Sequence, residues 1–112
     1  MLIKRIQKAL SPELLKPEYR GLKHPLAGHC YVASEALFHL SDLTLYPHFI
    51  RHEGSPHWYL KDGRGKVYDL TAAQFKTAVP YDRGVRKGFL TKKPSARTKI
   101  VMRRVKISPR AK

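Results

Sequence analysis

The chain has 112 residues with 23 Lys and Arg against 8 Asp and Glu, which gives a net charge of +15. This length predicts one domain with a modest core, and the single cysteine excludes an internal disulfide framework and favours a reducing, cytoplasmic location. No apolar run approaches the ~20 residues that span a bilayer, and charges interrupt the N-terminal apolar positions, so we expect neither a membrane span nor a signal peptide.

The first 25 residues predict two short helices and a basic loop. Apolar residues at helical spacing between Leu2 and Leu10 indicate an amphipathic first helix over residues 2–10. Ser11-Pro12-Glu13 is typical of a second helix start, with a cap, a first-turn proline and an early acid. Residues 20–25 then form a basic loop.

The only cysteine, Cys30, opens a segment with a helical apolar stripe. The stripe comprises Ala33, Ala36, Leu37 and Leu40. Pro25 and Gly28 break structure upstream, so Cys30 is expected at a helix N-terminus. The helix dipole there favours a thiolate, and the free N–H groups can stabilise an oxyanion. The alternative is that Cys30 is a small buried hydrophobe.

The middle of the chain predicts a small sheet. Residues 45–52 indicate a strand that Pro47 places at an edge or strand start, and a turn at 53–56 leads to a strand at 57–60. Asp62-Gly63-Arg64-Gly65 indicates a hairpin whose returning strand is 67–70.

The last 42 residues predict less regular structure. Thr71 is expected to cap a helical turn that ends at Phe75, and residues 79–90 a long loop with extended pieces. Ser95 is a candidate N-cap for a last helix through about Val105, with a strand over 99–102 as the alternative. The domain is therefore predicted to span residues 1–105, followed by a flexible basic tail over 106–112.

The hairpin brings a histidine and an acid together. A three-residue loop Gly63-Arg64-Gly65 sets His57 opposite Thr71, and the loop Asp62-Gly63-Arg64 sets it opposite Asp69. Both registers place His57 and Asp69 on one sheet face, whereas a two-residue loop separates them.

These residues suggest a nucleophilic triad. A cysteine nucleophile needs a base, and the base needs an orienting partner. We assign Cys30 as nucleophile, His57 as general base and then acid, and Asp69 as the group that fixes the imidazole tautomer. A helix packed on the His57 face, which also carries Tyr59, would bring Cys30 to the imidazole. The alternative for Asp69 is a strand-end cap of the turn at Thr71.

A cysteine opening a helix, a histidine opening a strand and an acid on the next strand resemble the papain-like superfamily in its transglutaminase-like and NlpC-type forms. The stretch Asp69-Leu70-Thr71-Ala72-Ala73-Gln74-Phe75 also resembles segments in that group and in small phage proteins, and the match covers roughly residues 26–75.

The resemblance implies an α+β fold, in which the Cys-bearing helix packs on a small antiparallel sheet in a papain-like core. It implies attack of Cys30 on an amide, isopeptide or ester carbonyl of a protein or peptide-like substrate, without a cofactor. The Cys30 backbone N–H would serve the oxyanion hole. Many papain-like enzymes also use the side chain of an upstream glutamine in the oxyanion hole. This chain has Leu26-Ala27-Gly28-His29 there, so Gly28 and His29 become near-site candidates. Gln74 and Tyr59 are also placed near the site, Gln74 in a structural role.

Two other functions compete with the enzyme. A metal site built on Cys30 and nearby histidines lacks the local ligand pairs that zinc sites usually show, so no metal is expected. A non-catalytic basic protein could bind nucleic acid through phosphate contacts, and this binding is compatible with catalysis. The candidate residues for polyanion contact are Lys92, Lys93, Arg97, Arg103, Arg104 and Arg110.

Overall fold

The computed structural model describes residues 2–11, 14 and 29–107. These residues form an α+β fold of three α-helices and a four-stranded antiparallel sheet. The helices are α1 (Leu2–Ala9), α2 (Cys30–Leu40) and α3 (Ala96–Ile107). The strands are β1 (Leu45–His52), β2 (Ser55–Asp62), β3 (Val67–Tyr68) and β4 (Val85–Arg86), in the order β3-β2-β1-β4. The predicted second helix start at 12–13, the loop 20–25, Gly28 and residues 108–112 lie outside the described residues.

The main core lies between the three helices and one face of the sheet. The predicted stripe of α2 packs inward, with Ala33, Ala36 and Leu37 buried and Leu40 half-buried against the same cluster. The cluster is completed by residues of α1, α3 and β2, chiefly Ile6, Val101, Val105 and Leu60. Val101 and Val105 are one helical turn apart, which is why residues 99–102 form part of a helix and not the alternative strand.

A buried carboxylate fixes the start of α3 on α2. Glu35 is fully buried, and its Oε1 accepts hydrogen bonds from the Ser95 backbone N–H at 3.1 Å and the Thr98 hydroxyl at 2.7 Å. Ser95 Oγ in turn accepts the Thr98 N–H at 3.3 Å, which confirms Ser95 as the N-cap. These hydrogen bonds join the start of α3 to α2. The helix continues to Ile107, two residues past the predicted domain boundary.

The β2–β3 hairpin adopts the first of the two predicted registers. Leu60 pairs with Tyr68, and the Asp62 N–H donates to the Lys66 carbonyl at 3.0 Å. The loop is therefore Gly63-Arg64-Gly65, and Gly65 takes a positive φ of 86° that a side chain would strain.

The β1–β2 turn is shorter than predicted. Only Glu53 and Gly54 form it, with φ values of 50° and 78°, and Ser55 and Pro56 already pair with β1. Two successive positive φ angles match the twist of the flanking strands, which is why a two-residue connection suffices.

Pro47 does not interrupt β1 or place it at the sheet edge. It lies inside a strand that pairs with β2 on one side and β4 on the other. The Pro47 carbonyl accepts the Lys87 N–H at 3.0 Å, on the β4 side. Because the nitrogen and carbonyl of one strand residue point the same way, the missing N–H of Pro47 costs the β1–β2 ladder no hydrogen bond.

The position of α2 corrects the predicted packing. The helix was expected on the His57 face of the sheet, but its buried stripe packs with Leu60, on the opposite face. Tyr59 instead belongs to a second cluster with Ile50 and Val79, to which Phe75 and Tyr81 add half-buried rings. The segment after β3 therefore covers the His57 face, and Cys30 reaches the histidine by another route.

Candidate active site

The open edge of β2 brings Cys30 to His57. Strand β3 ends at Tyr68, opposite Leu60, so the earlier half of β2 has no strand partner on that side. There α2 takes its place. Ser34 Oγ donates to the Trp58 carbonyl at 3.2 Å, and Cys30 Sγ lies 3.8 Å from the Pro56 carbonyl. Cys30 and Ser34 are one helical turn apart and these carbonyls are two strand residues apart, so helix and strand run in step. Cys30, which is partly exposed, therefore sits beside the residue before His57.

His57 and Asp69 form a buried pair. His57 Nε2 lies 2.6 Å from Asp69 Oδ2, and the two side chains are 0% and 3% exposed. His57 Nδ1 is buried and has no hydrogen-bond partner within the described part of the chain. Because Nε2 is occupied by Asp69, Nδ1 is the nitrogen left to exchange a proton with the thiol of Cys30.

The electrostatics of the site favour a charged imidazole. Burial lowers the pKa of His57, but the hydrogen bond and charge of Asp69, together with the nearby side chain of Cys30, outweigh it and raise this pKa to about 9. At neutral pH His57 is then an imidazolium that donates Nε2–H to Asp69 and directs Nδ1–H toward Cys30. Such a group can stabilise a thiolate before attack and supply a proton after it.

Asp69 is held by three donors. Besides His57, the Tyr81 hydroxyl donates to Oδ2 at 2.8 Å, and the Thr71 backbone N–H donates to Oδ1 at 3.1 Å. One oxygen of Asp69 thus contacts His57, and the other accepts the backbone N–H of the turn at Thr71. Thr71 itself makes no side-chain cap bond to the 3₁₀ turn Ala72–Gln74, contrary to expectation, because Asp69 supplies the acceptor.

Tyr81 was missed by the sequence analysis. It lies in the segment expected to be a long loop, in a 3₁₀ turn over Tyr81–Arg83. Burial, followed by the hydrogen bond and charge of Asp69, raises the pKa of Tyr81, so the phenol stays protonated and remains a donor. No local pattern marks this tyrosine, because its partner lies 12 residues earlier in the chain.

Aromatic rings pack against His57. Phe75 packs edge-on against the imidazole at 4.7 Å, and Tyr59 stacks on it at 6.1 Å. The Tyr59 hydroxyl donates to the Tyr81 carbonyl at 2.8 Å. Gly84 lets this ring approach, since a Cβ at that position would lie 1.7 Å from the Tyr59 hydroxyl oxygen. Tyr59 thus shares the His57 face as predicted.

The remaining near-site candidates are placed differently. His29 is buried directly before α2, and its Nε2 lies 3.0 Å from the Ser11 carbonyl, so this ring ties the helix start to the end of α1. His29 Nδ1 has no partner among the described residues. Gln74 ends the 3₁₀ turn after Asp69, and its backbone N–H donates to the Thr71 carbonyl at 3.1 Å.

The residues that were predicted to contact a polyanion differ in their exposure and in their contacts. Lys92 and Lys93 are exposed in the segment before α3, and Arg103 is exposed on the helix itself. Arg104 instead donates to the Ala9 carbonyl at 2.9 Å and to Ser11 Oγ at 2.7 Å, so its guanidinium joins α3 to α1. Arg97 is half-buried. Arg110 lies outside the described residues.

The described residues contain no group of three or more His, Cys, Asp or Glu side chains that could hold a metal ion. Within the same residues no helix has the length and apolar character needed to cross a membrane. The chain was also compared with known proteins. No family model matches it, and neither a curated protein nor a solved structure does.

Proposed function

We propose that the chain is a cysteine-dependent hydrolase or acyltransferase with a papain-like core, acting on an amide or isopeptide bond. The observation that carries the proposal is the buried contact of 2.6 Å between His57 and Asp69, with Nδ1 of the same imidazole left to face Cys30. His29 is also buried with an unpartnered Nδ1, so the feature that distinguishes His57 is its place between the carboxylate of Asp69 and the thiol of Cys30. A free inner nitrogen beside a partly exposed thiol fits a proton-transfer role.

The first half of the reaction forms a thioester. The Cys30 sulfur attacks the carbonyl carbon of the substrate, and the C–S bond forms as the carbonyl oxygen gains negative charge. The tetrahedral intermediate then breaks its C–N bond, and the proton on His57 Nδ1 moves to the departing amine. Asp69 keeps the imidazole oriented and stabilises its positive charge throughout.

The second half releases the acyl group. His57, now neutral, takes a proton from water or from an acceptor amine at Nδ1 while that nucleophile attacks the thioester. The thiolate leaves, and the imidazolium–thiolate pair is restored. Water gives hydrolysis and an amine gives acyl transfer.

The start of α2 supports the charge that develops on the carbonyl oxygen. Cys30 is the first residue of the helix, so its backbone N–H has no intrahelical acceptor and can donate to an oxyanion. The helix dipole adds positive potential at the same place. The upstream donor that a glutamine supplies in many papain-like enzymes has no described counterpart here.

An activated ester tests acyl transfer without knowledge of the natural substrate. With p-nitrophenyl acetate, we expect a burst of nitrophenol equal to the protein concentration, and mass spectrometry should find an acetyl group on Cys30. The Cys30→Ser protein should give no burst, and His57→Gln should show a slower burst with slower deacylation. Acetylation of lysines alone, with no difference between the natural protein and Cys30→Ser, would disprove the proposal.

A further inference from the structure

The two helices α1 and α3 present a surface with positive charge and no negative charge. Five basic side chains on them are exposed: Lys4, Lys8, Lys99, Arg103 and Lys106. Neither helix contains an aspartate or a glutamate. The acidic residues that the structure describes all lie on other elements, and the side chains of two of them, Glu35 and Asp69, are buried. The charge of this surface is therefore uncompensated within its own elements.

The two helices are fastened together by their other arginines. Arg5 donates to the Val105 carbonyl, and Arg104 donates to the Ala9 carbonyl. In each bond the guanidinium of one helix donates to a backbone carbonyl of the other, so the bonds join the two helices. The five exposed cations take no part in these bonds.

On α3 the exposed cations follow helical spacing. Lys99, Arg103 and Lys106 are separated by four and three residues, which places them on one side of the helix over a rise of about 10 Å. Lys4 and Lys8 repeat the four-residue spacing on α1. Rows of cations at this spacing match a regular array of phosphates better than one isolated anionic group.

We propose that the α1/α3 surface, defined by these five cations, binds the phosphate backbone of a double-stranded nucleic acid without sequence preference. Both helices lack aromatic residues, which single-strand binding uses for base stacking. They also lack the aromatic anchors that are typical of protein interfaces. An anionic bilayer is less suitable, because Ile6, Val101 and Val105 are buried in the core, and Ile3 and Ile100 are isolated exposed apolar residues and not a continuous apolar face. This binding is independent of the catalytic proposal.

The salt dependence of binding measures the number of phosphates engaged. Five neutralised phosphates predict a slope of log K against log salt of about −4.5, or about a 500-fold loss of affinity between 50 and 200 mM salt. Neutralising Lys99, Arg103 and Lys106 to Gln should reduce the slope by about 2.7, leaving about a 12-fold loss over the same range. The single Lys99→Gln change should reduce the slope by about 0.9.

The experiment uses fluorescence anisotropy with labelled 20-base-pair DNA and RNA duplexes. A matched control changes Arg51, Arg64 and Lys66 to Gln, since these exposed cations lie on the sheet and its hairpin. Circular dichroism checks that each variant retains its helices. Binding to either duplex, with a reduced slope in the α3 variant and an unchanged slope in the control, supports the proposal.

Three results would overturn it. Equal weakening by the α3 variant and the control would mean that only the total charge matters. Tighter binding to the single strand than to the duplex would contradict backbone recognition of a double helix. Binding to phosphatidylserine vesicles that is lost in the α3 variant, with no duplex binding, would assign the surface to a membrane.

Discussion

Asp69→Asn removes the charge that keeps His57 protonated while preserving the size of the side chain. With Asp69 in place, the hydrogen bond and charge of this residue, together with the nearby side chain of Cys30, outweigh burial and hold the pKa of His57 near 9. Without the negative charge, the pKa of His57 should fall toward its ordinary value of about 6.5. At pH 7.5 the protonated fraction then drops from nearly all to about one tenth.

Thiol alkylation reports this change. The imidazolium stabilises the reactive thiolate of Cys30, so iodoacetamide should modify Asp69→Asn about tenfold more slowly than the natural protein at pH 7.5. Mass spectrometry follows the single modified residue over time. Asp42→Asn removes the same charge from an exposed position after α2 and should leave the rate unchanged.

If Asp69→Asn folds normally and alkylates at the natural rate, Asp69 does not control the protonation of His57. Asp69 would then serve only as the cap of the turn at Thr71, through the hydrogen bond that its Oδ1 accepts. Thermal unfolding separates this outcome from a loss of structure. If the variant unfolds early, the rate is compared at a temperature where it remains folded.

Three further predictions concern stability. Because folding raises the pKa of His57, protonated His57 contributes stability that is fully present below about pH 6.5 and is lost as pH rises through about 9. In urea unfolding, the free energy of unfolding of the natural protein should therefore fall by about 3 kcal/mol across this pH range relative to that of His57→Gln. Gly84→Ala should destabilise by about 1–3 kcal/mol in thermal unfolding, because the added methyl collides with the Tyr59 hydroxyl. Thr98→Val should cost about 1–3 kcal/mol in urea unfolding, since Glu35 loses a buried donor.

Each stability prediction has its own control. If the free energy of unfolding changes with pH in the same way in the natural protein and in His57→Gln, the pair of His57 with Asp69 is absent. Gly88→Ala adds a methyl with nothing within 4 Å, so an equal effect there would refute the collision argument. Thr44→Val alters an exposed threonine away from Glu35, and a loss as large as that of Thr98→Val would show that Glu35 is not responsible.

The local parts of the fold could be predicted from the sequence. Helical spacing identified α2, and Ser95 identified the start of α3. The two glycines of the hairpin predicted an odd loop with two possible registers, both of which place His57 and Asp69 on one sheet face, and the structure has the first of them. These features depend on residues within a few positions of one another.

The predictions that were wrong or missing concern contacts between residues that are far apart in the sequence. Periodicity gave the buried stripe of α2 but not which sheet face it covers. That choice depends on β3 ending at Tyr68 and leaving the edge of β2 open to Ser34. Tyr81 and Glu35 likewise act through contacts across 12 and about 60 residues, for which no local pattern exists.

The central claim is that Cys30 and His57 act as a thiolate–imidazolium pair. The most direct measurement is the rate of Cys30 alkylation by iodoacetamide from pH 5 to pH 10, in the natural protein and in His57→Ala. We expect fast alkylation at pH 6–8 in the natural protein, well below the ~8.5 at which a free thiol ionises, and a rate at least about tenfold lower in His57→Ala at pH 7. Equal rates in the two proteins, or an inert Cys30 in both, would contradict the claim.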